Sequence, residues 1–294
     1  MQLRHIRYLM AVAEHGNFTR AAATLHVSQP TLSQQIIQLE EWLGVALLDR
    51  SGRVIKPTDA GREYIDHARR ALRELEAARR AIHDVQDLSR GTLRLATTPT
   101  FTAYLVGPLI AEFHARYQGI AITLREMSLD TIAAAVAADE VELGIAFHVE
   151  RSADVECQPL FAEKLSVVVG AQHPWAGQQI SIGSHELASS RLALLSADFA
   201  TRTHVDSYLH AQGITPQIAI EANTISALIE VVRRSNLITI LPEEIGKRDP
   251  DLVNLGITPD IPHRTVTIVR RSGGYQSAAA VAFAKMVEQH KESF

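Results

Sequence analysis

Sulfur, aromatic rings and long apolar runs are scarce in these 294 residues. The one cysteine, Cys157, has no partner for an internal disulfide, which fits a reducing compartment. No thiolate-stabilising motif surrounds it, so Cys157 reads as a small hydrophobe rather than a nucleophile. No apolar run reaches the ~18 residues that span a bilayer. The stretch Tyr8-Leu9-Met10-Ala11-Val12-Ala13 is too short for a secretory core and runs into Glu14 and His15. A cytoplasmic location is therefore expected. The thirteen histidines are dispersed, with no His-x-x-x-His or Cys-x-x-Cys pair and no Gly-x-Ser-x-Gly elbow. Those gaps argue against an enzyme, and neither a metal nor a cofactor is expected. Fixed-period repeats and low-complexity tracts are missing as well.

What is present is enough apolar residue, 46%, to fill more than one core. The formal charge of -4 argues weakly against nucleic acid until it is divided by position. Residues 1–58 carry six Lys/Arg and four Asp/Glu; residues 91–294 carry sixteen and twenty-two. A modestly basic N-terminal part joined to an acidic remainder suits a DNA-binding module on a domain that does not touch DNA.

Three short helices are predicted at the start. Leu3, Ile6, Leu9, Met10 and Ala13 recur at helical spacing, with Gly16 as a stop. A second helix covers about Thr19–Leu25. Ser28 caps a third over about Gln29–Leu43, with Pro30 in its first turn and Leu32, Ile36, Leu39 and Leu43 on its core face. Residues 47–50 and 53–57 read as two short strands around Gly52, which is a wing. Thr58 then caps a long helix, expected to reach about Leu88, whose narrow apolar stripe is Ile65, Ala68, Leu72, Leu75, Ala78, Ile82 and Val85. A lone helix of that length must bury its stripe, on its own domain or in a coiled-coil dimer. Ser89-Arg90-Gly91 reads as a hinge. From Thr92 onward strands alternate with helices, implying parallel sheets in two α/β lobes.

The polar residues at the start of the third helix are of the kind that read a major groove. Gln29, Thr31, Ser33 and Gln34 are able to hydrogen-bond base edges, with Pro30 among them. Thr19 and Ser28, at helix N-termini, are suited to phosphates. In the wing, Arg53 is placed for a minor groove, with Arg50 and Lys56 for phosphates. Gln35 and Gln38 read as a solvated face.

The run Ala21-Ala22-Ala23 through Ser28-Gln29-Pro30-Thr31-Leu32-Ser33, then Leu43-Gly44, Leu47-Leu48-Asp49-Arg50 and Pro57-Thr58-Asp59-Ala60-Gly61, closely resembles the LysR-type transcriptional regulators. The resemblance covers the whole chain. It implies a winged helix-turn-helix domain (1–58), a linker and dimerisation helix with hinge (59–90), and a two-lobed α/β effector domain like the periplasmic binding proteins (91–294). Lobe I would be about 91–162 with 265–294, and lobe II about 163–264. Residues 96–102, 195–202 and 221–227 further resemble regulators of cyanate-degradation operons, which makes cyanate the expected effector.

In open α/β lobes, ligands bind outside the carboxyl ends of strands, against helix starts. Thr98-Pro99-Thr100 follows the first strand, and Phe199-Ala200-Thr201-Arg202 follows the strand that ends at Ser196. Two hydroxyl-rich helix starts would make an anion site. The resemblance implies an effector between the lobes at Thr98, Thr100 and the Phe199–Arg202 turn, including Thr201, with Phe147 as a further contact. Asn223 and Thr224 are either effector contacts or plain caps, and Arg202 either meets the anion or pairs with an acid. Promoter DNA, a small anionic effector, RNA polymerase and further copies of the chain, as a dimer and then a tetramer, are the expected partners. The expected role is activation of a divergently transcribed operon. The rival reading, a small-molecule-binding protein with no transcriptional role, leaves residues 1–58 unexplained.

Overall fold

The computed structural model describes residues 2–83, 88–147, 153–178 and 181–290, without the side chains of Arg80, Ile82 and His83. The chain divides into two compact units, Met1–Arg79 and Arg80–Phe294.

The first unit holds α1 (Leu3–His15), α2 (Phe18–Thr24), α3 (Gln29–Leu43), β1 (Leu48–Asp49), β2 (Lys56–Pro57) and, as far as Arg79, α4 (Asp59–His83). Gly16 and Gly44 end α1 and α3 in the left-handed region, at φ 59° and 71°, where a side chain would be strained. The α2–α3 turn uses a left-handed non-glycine, His26, at φ 53°. Leu9, Val12, Ala21, Leu32, Ile36, Leu39 and Ile65 form the core; of the α1 period read from the sequence, Ile6 and Leu9 are buried, Met10 and Ala13 are half-buried, and Leu3 is exposed. β1 and β2 pair antiparallel, with Leu48 opposite Pro57 and Asp49 opposite Lys56. Thr58 ties the wing to α4: its hydroxyl donates to Ala46 O (2.8 Å) and accepts from Gly61 N (2.9 Å). Along α4, Ile65 and Ala68 are buried, whereas Leu75 is 49% exposed. The expected continuation through Val85 lies outside the described residues, and Leu88 has already left the helix, with φ 60°.

The second unit follows the order β3 (Gly91–Thr97), α5 (Pro99–Thr102), α6 (Val106–Arg116), β4 (Ile120–Glu126), α7 (Leu129–Ala137), β5 (Leu143–Phe147) and β6 (Val155–Glu163). Then come β7 (Leu165–Gly170), β8 (Ser181–Ile182), α8 (Ser184–Ser189), β9 (Arg191–Leu195), α9 (Ala200–Ala211), β10 (Gln217–Ala222) and α10 (Ile225–Arg233). The chain closes with β11 (Thr239–Pro242), α11 (Glu243–Arg248), β12 (Leu252–Ile257), β13 (Arg264–Arg271) and α12 (Ala278–Gln289).

One sheet has the order β4-β3-β5-β13-β6, and a second has the order β11-β7-β12-β8. The parallel pair β10-β9 is linked toward the second sheet by a bridge between Leu192 and Ile238. The expectation of purely parallel sheets needs correction. β13 runs antiparallel to β5 and β6, and β7 runs antiparallel to β11 and β12. The cause is the chain's two passages between lobes, at Lys164 and at residues 258–263, which return strands in the opposite sense.

α5 and α6 are separate helices rather than one, with the break at residues 103–105. Gly107 and Pro108 would break a continuous one, because proline lacks the amide and clashes with the preceding turn. Restarting at Val106 puts Pro108 in the first turn of α6, where it is tolerated.

Candidate DNA-reading surface and effector cleft

Ser28 caps α3 by accepting from Thr31 N (3.2 Å), and its hydroxyl lies 2.7 Å from that of Thr31. The first turn therefore presents Gln29, Pro30, Thr31 and Gln34 exposed, while Ser33 is half-buried. On the opposite side Leu32, Ile36 and Leu39 are buried to 1% exposure or less. Such a helix is anchored by one face and free to offer the other. α2 is capped by Asn17, which accepts from Arg20 N (3.0 Å), with Thr19 exposed in the first turn. Gln35 is not simply solvated: its Oε1 lies 2.9 Å from His5 Nε2 and its Nε2 donates to Gln38, so it ties α1 to α3.

The wing is held by a residue the sequence reading passed over. Glu40 Oε1 accepts from Leu47 N (2.8 Å) and Leu48 N (3.1 Å), and Oε2 accepts from Arg50 Nη2 (2.6 Å). Arg50, also 5.6 Å above the Phe18 ring, thus spends its charge within the protein. Arg53 stands exposed in the turn between β1 and β2. Hydroxyl and amide of Ser51 both donate to Asp49, which lowers the Asp49 pKa.

In the second unit, Thr98, Thr100 and Thr201 are buried at the starts of α5 and α9. The Thr100 and Thr201 oxygens are 3.4 Å apart, joining α5 to α9. Thr201 also accepts from Arg264 Nη2 (2.9 Å). Arg264 begins β13, and its partner in the ladder is Glu163, the last residue of β6. Nε and Nη2 of Arg264 donate to Glu163 Oε2 at 2.8 and 2.5 Å, and Tyr104 OH donates to Glu163 Oε1 at 2.6 Å. The guanidinium lies 3.6 Å from the centre of the Phe147 ring. Burial pulls the Arg264 pKa down against the attraction of Glu163, and burial followed by the Glu163 charge pushes the Tyr104 phenol up.

Two cavities adjoin this cluster. One of about 510 Å³ is lined by Phe147, Ala200, His204 and Arg264 among others, and one of about 250 Å³ by Thr98, Thr100, Phe199 and Asn223 among others. Arg264 Nη1 and Thr98 Oγ1 are buried with no hydrogen-bond partner. Unsatisfied buried groups of this kind mark a place where a ligand or water completes the bonding.

Five of the seven residues expected at the effector site, Thr98, Thr100, Phe147, Phe199 and Asn223, line these cavities, and Thr201 touches Thr100 behind them. Arg202 is elsewhere occupied: it donates to Asp206 Oδ1 (2.8 Å), Leu195 O (2.6 Å) and Glu221 Oε2 (2.8 Å). Thr224 is the α10 cap, accepting from Ala227 N (3.3 Å), which leaves Asn223 exposed beside the cavities. α5 is a single four-residue turn, so it supplies hydroxyls but little helix dipole. Arg264, the guanidinium at the cavity wall, went unnoticed in the sequence because only the strand ladder brings it there.

Comparison with known proteins agrees with this architecture. Residues 3–62 match the family described as "Bacterial regulatory helix-turn-helix protein, lysR family", and residues 86–292 match "LysR substrate binding domain". The DNA-binding transcriptional dual regulator OxyR of Escherichia coli K12 is 30% identical over 295 residues, covering 97% of this chain and 96% of that protein. A hydrogen peroxide-inducible genes activator of Pectobacterium carotovorum is 28% identical over 297 residues, covering 100% and 98%. The structure of full-length OxyR from Pseudomonas aeruginosa superposes with a TM-score of 0.67 at 25% identity, covering 99% of this chain and 95% of that one. These names lend no support to cyanate as the effector. The chain belongs to the LysR family of DNA-binding transcriptional regulators and is not an enzyme.

Proposed function

We propose that this regulator reads promoter DNA through the first turn of α3 and the wing, and answers to a small molecule with an anionic group held between its two lobes. The observation that carries the reading is α3 itself: its apolar face is sealed in the core while Gln29, Pro30, Thr31 and Gln34 face solvent at its N-terminus. Side chains at that position reach base edges in helix-turn-helix complexes. Ser33 joins them from the half-buried edge, and Arg53 enters the minor groove. Thr19 contacts a phosphate. Ser28 and Arg50 act less on DNA than on the protein, as the α3 cap and the wing tie.

Thr98, Thr100, Phe147, Phe199, Thr201 and Asn223 form the effector site, supported by the unpartnered Thr98 hydroxyl and Arg264 Nη1. Cyanate has only three atoms and would leave most of the larger cavity, about 510 Å³, to water. No intrachain disulfide can form, since Cys157 is the one cysteine of these 294 residues.

Leu75 and Ala78, exposed on α4, pair with a second copy, so two recognition helices meet successive major-groove faces. Two such dimers assemble into a tetramer that bends the DNA. Effector binding changes the bend only insofar as it favours one tetramer arrangement, and RNA polymerase then engages a divergent promoter.

A mobility-shift series on the upstream promoter fragment tests the reading. Binding should weaken steeply with salt, and Gln29→Ala should lose preference between operator variants while still binding. Thr100→Val should bind DNA normally and lose the effector response. Indifference of Gln29→Ala to operator sequence changes that wild type resolves is the expected result; retained discrimination would remove α3 from base reading.

A further inference from the structure

We propose that the effector is an amino-acid-like zwitterion, carrying a carboxylate and an ammonium group together, rather than a bare anion. This rests on the cleft being the effector site. Among the described residues, Arg264 is the sole Lys or Arg lining either cavity, and Glu163 already neutralises it at 2.5 Å. The walls otherwise carry carboxylates: Asp130 and Asp198 at the larger cavity, Asp198 and Glu126 at the smaller. His204 is the remaining ionisable group of the larger one, its Nε2 lying 2.7 Å from Pro262 O. Asp198 accepts from the Ser196 hydroxyl and Glu126 from that of Thr102 (2.7 Å), and among the described residues neither Asp130 nor Asp198 is in an ion pair. A bare anion entering here meets a wall of its own sign, with the one cation compensated, so like-charge repulsion disfavours it.

Donors for a carboxylate are nevertheless present. Arg264 Nη1 is buried without a partner, and the twelve-residue helix α9 starts at the cavities with no side-chain cap on its first amides. An occupant with both charges satisfies each side: its carboxylate takes the α9 amides and Arg264, and its ammonium takes Asp130 and Asp198. Phe147 and Leu129 offer apolar wall for a side chain, and cavities of about 510 and 250 Å³ have room for one.

The test is titration calorimetry and thermal shift on the full-length protein. The probes are the standard L-amino acids one at a time, their deaminated and decarboxylated counterparts (for leucine, 4-methylpentanoate and 3-methylbutylamine), and sodium cyanate. At least one amino acid should bind and raise Tm, with its deaminated and decarboxylated counterparts weaker by about tenfold or more. Asp198→Asn should weaken that amino acid by about tenfold while leaving the unliganded Tm unchanged, since the side chain is exposed. Asp130→Asn is the second variant, checked the same way. Cyanate or the deaminated acids binding as tightly as any amino acid, an Asp198→Asn protein that binds more tightly, or no response to any amino acid would each overturn the proposal. The cleft reading fails separately, through a bound probe whose affinity is untouched by Thr100→Val and Phe147→Ala.

Discussion

Glu163 and Arg264 face each other as ladder partners at the point where β6 leaves lobe I and β13 returns to it, and their side chains close the same pair as an ion pair. At 3% and 9% side-chain exposure, neither charge is repaid by water. Removing one partner strands the other, which costs about 3–5 kcal/mol for buried pairs. Glu163→Gln should therefore lower the urea midpoint of the second unit strongly. A Glu163→Met, Arg264→Met double variant should lose less than the sum of the two single changes. An additive double variant would mean that the pair is not coupled.

The wing depends on a close approach with no spare room. A Cβ on Gly61 would stand 1.9 Å from Leu47 O, a backbone atom that cannot rotate away. Gly61→Ala should lower the thermal stability of the first unit, by about 1–3 kcal/mol if neighbours shift to relieve the overlap, and weaken DNA binding with it. Circular dichroism melting of the variant, alongside the mobility shift, checks both.

Wing and recognition helix should separate in their salt behaviour. Arg53→Ala should weaken binding about equally on all sequences and reduce the slope of log K against log salt by ~1. Gln29→Ala should leave that slope unchanged and cost about 1–3 kcal/mol of discrimination at one base pair. Equal slopes for Arg53→Ala and wild type would take Arg53 off the backbone and groove.

His173, 8% exposed, packs edge-on to Trp175 (ring centres 5.1 Å apart) and accepts from Trp175 N through Nδ1 (3.1 Å). Burial holds its pKa below the ordinary 6.5, against a smaller opposite pull from a backbone bond at Asn236. Between the lowered folded value and 6.5, the unfolded chain binds the proton more readily, so stability rises with pH there. The contribution is complete above 6.5 and fades as pH falls through that window. Denaturant midpoints measured from pH 7.5 down to 5 should fall, and His173→Asn should flatten the decline.

Where the fold was legible in the sequence, the determinants were local. Ser28, Pro30, the Leu32-Ile36-Leu39 period and Gly44 each act within a turn or two of α3, so a linear reading recovers it. β6 and β12 left no such trace. β6 carries Pro159 and faces a register shift between Val266 and Thr267, so its buried and exposed residues do not alternate. β12 is a short central strand whose partner β7 lies far back in the chain.

The cleft divides in the same way. Thr98, Thr100 and Phe199 follow strand ends, a position readable from order alone. Choosing Arg202 as the nearby cation followed from its neighbours in sequence, but it is consumed by Asp206 and Glu221. Arg264 reaches Thr201 across 63 residues of chain, a proximity set by strand pairing and by nothing in its own surroundings.

Because Glu163 and Arg264 are ladder partners, their α-carbons are only about 5 Å apart, and residues 164–263 leave and return through that gap. In topological terms the second lobe is an insertion at the tip of a β6–β13 hairpin. Its movement relative to the first sheet has a single point of covalent attachment, two strands wide. Covalently, the second lobe hangs on one ladder step, and the Thr100–Thr201 contact joins the lobes beside it without a chain connection.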